Sequence, residues 1–457
     1  MGYHSEWNLG SPGGWDYQRL TQLIGKSVWD RFRKYFFPTF ILDFNHPLLQ
    51  PVYSFIEMLK DAHYRIEGRN KGLIIVLAEE ETLEEVIENR NLVSHLNAVD
   101  GLKSILLAPH QLEISNGRVC YRNEPVSVIF MDFNTNVLLD LHRKYRLDPV
   151  LQAVSEGRVN NPRGTEPINS KGIFEVLTNP GKKRFFHNET VRRTPWTRQF
   201  YPRHTTGPAG EEITDLIEWT RKNWENLVLK PERGYSGKGV RVGGIHNATD
   251  EIIDMALADG TYIVQEKIPL ALWGEKIPEP DPVGHTIIEV VRQTDFRCLF
   301  GMNGLFGFLG SYGGVPTNVG SGGGVQPLAI IADSMDVRQT TEIINRTILS
   351  LEYREVLDIL DYQDRLALEH RLTYLLGPIK IALRPRLINS RQINDLKNYC
   401  RGLWRDCLTL EKMWEQESLD IKIVIGAEEM KIIRSQPWRG SPAIFASDGL
   451  FSFGAHV

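Results

Sequence analysis

Residues 71–155 alternate between short apolar runs and longer amphipathic segments, and this pattern predicts strands that alternate with helices. Thr82 stands where a helix N-cap is expected, with Glu84 in the first turn of the helix that follows it. The predicted elements are buried strands at 73–77, 104–107 and 125–131, a helix from Thr82 to residue 96, and a hairpin at 113–122.

The remaining parts of the chain differ in character. Residues 1–70 are aromatic-rich and irregular at first, then helical around 48–61. Between 156 and 330 the patterns predict helices at 172–178, 211–223 and 248–257, strands at 262–266, 285–291 and 296–300, and a proline-rich loop at 274–284. Residues 332–418 are predicted to be mostly helical, with a short strand at 421–425. We therefore predict four units, at 1–70, 71–155, 156–330 and 331–457.

The composition is that of a soluble globular protein. The chain has 457 residues, of which 42% are hydrophobic and 24% charged, and its formal net charge is −4. This balance gives no reason to expect nucleic-acid binding. No apolar run is long enough for a membrane span and the first residues lack a signal-peptide pattern, so we predict a cytoplasmic protein that does not bind membranes.

A glycine-rich turn between two short strands is the most informative motif. Residues 228–230 form an apolar strand ending in Lys230, and the glycines of 234–239 lead into a second strand at 240–242. Such a turn can lie over a polyphosphate, because glycine lets backbone N–H groups approach the oxygens and tolerates positive φ. Neither a Walker loop nor a Rossmann fingerprint has this spacing. The alternative interpretation is an ordinary hairpin with a flexible tip.

Three later features could complete one nucleotide cleft. The backbone of the strand at 263–268 could pair with an adenine ring while Glu266 or Lys267 approaches the ribose. Asp295-Phe296-Arg297 follows, and then a second glycine run at 320–324. Each feature alone is weak, whereas their order and spacing together are more specific.

These segments resemble the ATP-grasp superfamily and are most similar to the circularly permuted ATP-grasp proteins related to glutathionylspermidine synthases. The resemblance covers residues 70–330, is strongest over 225–325, and includes Asn160-Asn161-Pro162-Arg163-Gly164 with Ser170-Lys171. It implies an α/β (α+β) class and a circularly permuted ATP-grasp fold with a mostly helical C-terminal region. Residues 71–155 would carry the permuted segment, and 156–330 would be the nucleotide-binding domain.

The resemblance also implies a ligase that joins a carboxylate to an amine through an acylphosphate, with ATP and Mg²⁺ as cofactors. Lys171 and Lys230 would hold phosphates, and Arg297 would stabilise the transferring phosphoryl group. The implied catalytic residues are Arg297 and Lys230. The implied nucleotide-binding residues are Lys171, Lys230, Gly234, Ser236, Gly237, Lys238, Gly239, Gln265, Glu266, Lys267 and Asn318.

The resemblance leaves the metal ligands open. Unpermuted relatives carry a carboxylate and an amide two residues apart on a late strand, and permutation would move that strand toward the N-terminus. Asp132-Phe133-Asn134 at the end of a predicted strand fits this spacing, because alternate strand residues face one side. Asp132 and Asn134 are therefore the predicted metal ligands, and Asp295 is a competing candidate. The alternative is that Asp132-Phe133-Asn134 caps a helix.

The predicted partners are small carboxylate and amine substrates, including amino acids or peptides. The sequence leaves open whether a carrier protein delivers the nucleophile, with a thiol in place of the amine, and whether the chain forms a homodimer. Two other functions stay open: a nucleotide-binding regulatory protein that has lost its chemistry, and a kinase that stops at phosphorylation. A hydrolase is disfavoured, because no Gly-x-Ser-x-Gly or His-Glu-x-x-His motif occurs.

Overall fold

The computed structural model describes residues 2–36, 40–234, 237–268, 274–313, 317, 319, 322–377 and 380–450. The strands of this part of the chain are β1 (Tyr3–Asn8), β2 (Gly72–Leu77), β3 (Leu102–Leu107), β4 (Glu113–Ser115), β5 (Arg118–Tyr121), β6 (Glu124–Met131), β7 (Val159–Asn160), β8 (Thr197–Gln199), β9 (Thr205–Thr206), β10 (Glu212–Ile213), β11 (Leu227–Pro231), β12 (Arg241–Val242), β13 (Tyr262–Glu266), β14 (Gly274–Asp281), β15 (Thr286–Gly301), β16 (Gly304–Gly313), β17 (Gly324–Val325), β18 (Leu328–Ile330), β19 (Arg386–Ile388) and β20 (Phe445–Leu450). The α-helices are α1 (Trp15–Phe32), α2 (Pro51–Glu67), α3 (Ile87–Asn97), α4 (Thr135–Tyr145), α5 (Asp148–Ser155), α6 (Ile173–Thr178), α7 (Asn188–Arg193), α8 (Leu216–Lys222), α9 (Thr249–Asp259), α10 (Val337–Leu349), α11 (Tyr353–Glu369), α12 (Ser390–Glu415) and α13 (Ala427–Ser435).

Three larger sheets organise these elements. The parallel sheet has the order β3-β2-β6-β5-β4, with β7 beside β6, and its strands β2, β3, β6 and β7 run parallel. The small sheet has the order β12-β11-β13-β8, and the antiparallel sheet has the order β1-β20-β15-β16-β17, with β14 paired to β15. The mixed α/β architecture predicted from the sequence is confirmed.

The central strand β2 of the parallel sheet is buried on both faces. Ile74 and Val76 pack in one cluster with Phe55 of α2, whereas Ile75 and Leu77 pack in another with residues of α4 and α5. A strand covered on both faces is apolar throughout, which explains the continuous apolar run in the sequence.

The antiparallel sheet has one apolar face and one face that is charged in part. Phe296 and Cys298 of β15 pack with Leu396 of α12 in a buried cluster. Asp295 and Arg297 alternate with these residues and so lie on the opposite face. None of the helices in the described part of the chain is both long enough and apolar enough to cross a membrane.

The first part of the chain is more regular than predicted. Residues 3–8 form β1 and pair with β20 near the other end of the chain, and residues 15–32 form the long helix α1. The register of β1 shifts between His4 and Glu6, so its buried residues do not follow a strict alternation of two. This bulge and the distant partner explain why local patterns did not reveal the strand.

The predicted loop at 274–284 is wrong, because Gly274–Asp281 forms β14 with Pro278 and Pro280 inside it. Among the described strands β14 pairs only with β15, so it is an edge strand. An edge position tolerates proline, since the missing N–H would not bond to a neighbouring strand there. The two strands predicted at 285–291 and 296–300 are one strand, β15.

Three other predicted elements also differ. The helix predicted from Thr82 begins at Ile87 as α3, and the helix predicted at 211–223 is reduced to α8. The side chain of Asp215 caps α8 by accepting from two backbone N–H groups, which fixes the start of the helix at Leu216. The strand predicted at 421–425 does not form.

Asn161 joins three distant parts of the chain beside the antiparallel sheet. Its fully buried side-chain amide donates to the carbonyl oxygens of Gly10 (2.8 Å) and Ile444 (2.7 Å) and accepts from the N–H of Ile444 (2.8 Å). Its φ is 55°, in the left-handed region that asparagine tolerates better than most residues. Asn161 thus ties the segment after β1 to the segment before β20.

We predict that Asn161→Ala lowers the free energy of unfolding by about 3 kcal/mol, because buried backbone groups lose their partner. The midpoint of chemical denaturation, followed by circular dichroism, measures the change. Asn116→Ala is the matched control, since Asn116 also has a positive φ (50°) but lies exposed at a hairpin tip. Equal losses in the two variants would show that backbone strain, and not the hydrogen bonds, accounts for the effect.

Candidate functional site

A cluster of charged residues lies on the charged face of the antiparallel sheet, and Arg297 is its centre. Arg297 of β15 is directly opposite Asp448 of β20, and its Nη2 donates to Asp448 Oδ2 at 2.9 Å. Its Nη1 donates to the carbonyl oxygen of Gly13 at 2.7 Å. Asp295 lies two residues earlier on the same face of β15, so the strand period brings it next to this pair.

Strand β1 adds a carboxylate and an amide to the cluster. Glu6 is directly opposite Asp448, and Asn8 Nδ2 donates to Asp448 Oδ2 at 2.6 Å. Glu6-Trp7-Asn8 therefore has the carboxylate-and-amide spacing that the sequence interpretation assigned to Asp132-Phe133-Asn134. Glu6, Asn8 and Asp448 were missed because their proximity depends on the pairing of β1 with β20. The spacing of Glu6 and Asn8 was a usable signal, but no local pattern marked residues 3–8 as a strand.

Lys171 and Lys230 approach the same cluster from the side of the small sheet. Lys171 Nζ lies 3.3 Å from Glu6 Oε1 and donates to the carbonyl oxygen of Gly234 at 3.0 Å. Lys230 Nζ donates to Gln265 Oε1 at 2.8 Å and to the carbonyl oxygen of Ser5 at 3.2 Å. The structure thus brings together Lys171, Lys230, Asp295 and Arg297, which the sequence interpretation selected from separate segments.

Burial and neighbouring charges shift the pKa values of this cluster in opposite directions. Burial and the negative charge of Asp448 raise the pKa of Asp295 to about 7. Burial lowers the pKa of Lys230 to about 8, with nearby Lys171 acting in the same direction and Glu6 opposing it. Charged groups held in a half-buried position, with shifted pKa values, are typical of functional sites.

The glycine-rich turn contacts the cluster at Gly234, whose carbonyl oxygen accepts from Lys171 Nζ. Gly237 and Gly239 have φ values of 70° and 77°, and a Cβ on Gly239 would lie 2.9 Å from both Pro231 and Tyr262. Glycine is therefore required at position 239 by both conformation and space. Lys238 is exposed. Ser236 and Asn318, which were also expected to bind the nucleotide, lie outside the described residues.

The strand expected to face the adenine ring is paired on both edges. Strand β13 lies between β11 and β8, and Gln265 points toward Lys230. The backbone N–H of Glu266 donates to the Trp196 carbonyl oxygen, and that of Lys267 donates to the Asn226 carbonyl oxygen, both at 2.8 Å. An adenine ring at this edge would have to form hydrogen bonds with groups other than these two backbone N–H groups.

Asp132 and Asn134 lie at the carboxyl end of β6, in the parallel sheet. Asp132 Oδ2 accepts from Asn89 Nδ2 at 2.6 Å, and burial raises the pKa of Asp132 to about 6. Asn134 is the N-cap residue of α4, although its side chain makes no capping hydrogen bond. Within the described ranges, no hydrogen bond or ion pair joins Asp132 or Asn134 to the cluster around Arg297.

The cluster contains oxygen donors of the kind that bind a divalent cation when a nucleotide supplies the other ligands of that cation. Among the described residues no group of three or more His, Cys, Asp or Glu side chains is placed to hold a metal ion by itself. However, Mg²⁺ bound to a nucleotide takes only one or two protein carboxylates, since phosphate oxygens and water supply its other ligands. The carboxylates of Asp295, Asp448 and Glu6 supply hard oxygen donors. The negative charges of Asp448 and Glu6 each raise the pKa of Asp295. A bound cation would relieve this repulsion.

Comparison with known proteins gives partial similarities of fold. No protein-family model and no curated protein match the chain. A glutathione synthetase-like effector from Globodera pallida is 15% identical, with a TM-score of 0.36 over 68% of this chain and 64% of that one. A RimK domain ATP-grasp protein from Sphaerobacter thermophilus is 14% identical (TM-score 0.28, 52% and 72% of the two chains). D-alanyl-alanine synthetase A from Vibrio cholerae is 11% identical (TM-score 0.24, 49% and 68%).

The chain spans less than two thirds of the Globodera pallida structure, and all three TM-scores lie below 0.5. They assign no role to any residue of the cluster. These three neighbours are ATP-grasp proteins.

Proposed function

We propose that the chain is an ATP-dependent ligase that joins a carboxylate to an amine through an acylphosphate, with Mg²⁺. The observation that carries this proposal is the convergence of Lys171, Lys230 and Arg297 with three carboxylates between the small sheet and the antiparallel sheet. Cations suited to phosphates and oxygen ligands suited to Mg²⁺ then face one cleft.

In the proposed reaction, a carboxylate oxygen of the acid attacks the γ-phosphorus of ATP, and ADP leaves. The amine then attacks the acyl carbon, loses a proton and displaces phosphate. Lys171 and Lys230 hold the phosphates of ATP, and Arg297 neutralises charge on the transferring group. Bound Mg²⁺ supplies further neutralisation of the phosphate oxygens. One or two of the carboxylates of Asp295, Asp448 and Glu6 would hold it.

The glycine-rich turn would cover the phosphates and exclude water. Its base is anchored, because Arg233 forms ion pairs with Glu429 of α13 (2.5 Å) and with buried Glu166 (3.2 Å). The tip beyond Gly234 carries glycines with positive φ. An anchored base with a permissive tip suits a cover that closes over a bound nucleotide, and exclusion of water protects an acylphosphate from hydrolysis.

The test is release of ADP and phosphate from ATP in the presence of Mg²⁺ and a panel of acid–amine pairs that includes amino acids and peptides. The expected result is ADP release that requires both the acid and the amine, with a condensed product found by mass spectrometry. Nucleotide binding without turnover across a broad panel would favour the regulatory alternative. A phosphorylated acid with no condensed product would favour a kinase.

We predict that nucleotide affinity falls as the pH rises through about 8, where Lys230 loses its proton in the free protein. Below this pH the ammonium is charged and attracts the phosphates; above it the neutral amine does not. Calorimetric titration with a non-hydrolysable ATP analogue between about pH 6.5 and 9.5 measures the effect.

Lys230→Arg is the matched control for this titration, because arginine keeps its charge throughout this range. Asp295, whose pKa is raised to about 7, titrates in both proteins. The difference in affinity between the wild type and Lys230→Arg at each pH therefore reports the titration of Lys230. An identical loss of affinity in both proteins would show that another group is responsible.

A further inference from the structure

Glu232 lies at the base of the glycine-rich turn, and it has no role in the function proposed so far. Its residue is only 2% exposed. Its carboxylate accepts from Ser170 Oγ (2.6 Å) and Gln199 Nε2 (2.5 Å). These two donors come from different elements, so the Glu232 side chain joins the base of the turn to β8 and to the segment that carries Lys171.

The segment around Lys171 is bound to the turn at several points. The backbone N–H of Lys171 donates to the Glu232 carbonyl oxygen (3.2 Å), and Lys171 Nζ donates to the Gly234 carbonyl oxygen (3.0 Å). A Cβ on Gly172 would lie 2.7 Å from Glu232 Oε2, so a larger residue there would displace the Glu232 carboxylate. Glu232 thus fixes the position of Lys171 relative to the turn.

The Glu232 carboxylate has no ion-pair partner among the described residues. Burial raises the pKa of Glu232 to about 7, and the negative charge of Glu175 acts in the same direction. The hydrogen bonds from Ser170 and Gln199 and the positive charge of Lys422 lower this pKa and so oppose the shift. A buried carboxylate without a cation reduces stability, and such residues are typical of functional positions.

We infer that Glu232 is a positioning residue that holds Lys171 at the base of the glycine-rich turn, beside Gly234, so that the Lys171 ammonium group meets a bound phosphate group. This inference rests on the proposed function, because it assigns Lys171 to a bound polyphosphate. It predicts that Glu232 increases nucleotide affinity by positioning Lys171, and that its effect does not depend on Lys230.

A double-mutant cycle tests this inference, with the affinity for a non-hydrolysable ATP analogue in the presence of Mg²⁺ as the measured quantity. Glu232→Ala is expected to weaken binding by about 10-fold, the usual scale for losing hydrogen bonds to a charged group. Lys171→Ala should weaken binding by about 10- to 20-fold in the wild-type background and by less than about 2-fold in Glu232→Ala. The effects of Lys230→Ala and Glu232→Ala should instead multiply.

Glu232→Gln should retain most of the affinity, because the amide oxygen can accept from Gln199 while its NH₂ donates to Ser170 Oγ. Glu218→Ala is the matched control, since Glu218 lies exposed on α8 in the same part of the molecule. If Glu232→Ala does not fold, Ser170→Ala, which removes one of the two hydrogen bonds, replaces it in the cycle.

Multiplicative effects of Glu232→Ala and Lys171→Ala, or unchanged affinity in Glu232→Ala, would overturn this inference while leaving the ligase proposal intact. A wild-type protein that does not bind the analogue would instead overturn the proposed function, and this inference with it. The two failures are therefore distinguished by the wild-type titration alone.

Discussion

Lys230→Ala is expected to lower kcat/KM for ATP by about 10²–10³-fold, the usual range for removing one electrostatic donor from a reaction site. Lys230 is placed between the two sheets by its hydrogen bonds to Gln265 and to the Ser5 carbonyl oxygen. No other described ammonium group makes these contacts, so a neighbouring side chain cannot replace it without moving the strand. The measurement is steady-state ADP release with the acid–amine pair found in the panel.

The loss of activity should not be accompanied by a loss of stability. Burial lowers the pKa of Lys230, which means that the folded protein disfavours its charged form. Lys230→Met keeps the volume and removes the disfavoured charge, but it also removes the hydrogen bonds to Gln265 Oε1 and to the Ser5 carbonyl oxygen, so the unfolding temperature should change little. Lys222→Ala is the activity control, because Lys222 lies on the exposed surface of α8. Wild-type kcat/KM in Lys230→Ala would show that the cleft has been assigned wrongly.

Local sequence patterns predicted the elements whose signal is contained in a few neighbouring residues. The apolar run of β2 follows from burial on both faces, and the hairpin of β4 and β5 follows from Asn116-Gly117, where both residues have positive φ. Lys230 was selected in the same way, because a strand, a lysine and a glycine turn follow one another directly.

The residues that the sequence did not reveal depend on pairing between distant parts of the chain. Asp448 stands beside Arg297 only because β20 pairs with β15, and Glu6 joins them only because β1 pairs with β20. Strands β1 and β20 have only 6 residues each, and β1 contains a bulge that breaks the alternation of polar and apolar positions. Such contacts are set by the whole fold, so a single sequence read locally does not contain them.

The two candidate metal sites make opposite predictions for Mg²⁺ dependence. We expect Glu6→Gln and Asn8→Ala to raise the Mg²⁺ concentration needed for half-maximal turnover by at least about 10-fold, because even residues that only support metal ligands have effects of this size. Asp132→Asn and Asn134→Ala should leave it unchanged, since these residues lie between β6 and α4 and make no described hydrogen bond or ion pair with the cluster around Arg297. If instead the Asp132 and Asn134 variants needed more Mg²⁺ and the Glu6 and Asn8 variants did not, the metal site would lie at the carboxyl end of β6.

Nucleotide binding without metal separates a metal ligand from a residue that merely stabilises the fold. Glu6 Oε1 lies 3.3 Å from Lys171 Nζ, so Glu6→Gln releases this ammonium from its carboxylate. We therefore expect Glu6→Gln to bind the ATP analogue at least as tightly as the wild type without Mg²⁺, and more weakly than the wild type when Mg²⁺ is present. A variant that binds more weakly under both conditions would indicate damage to the cleft and would remove Glu6 from the metal site.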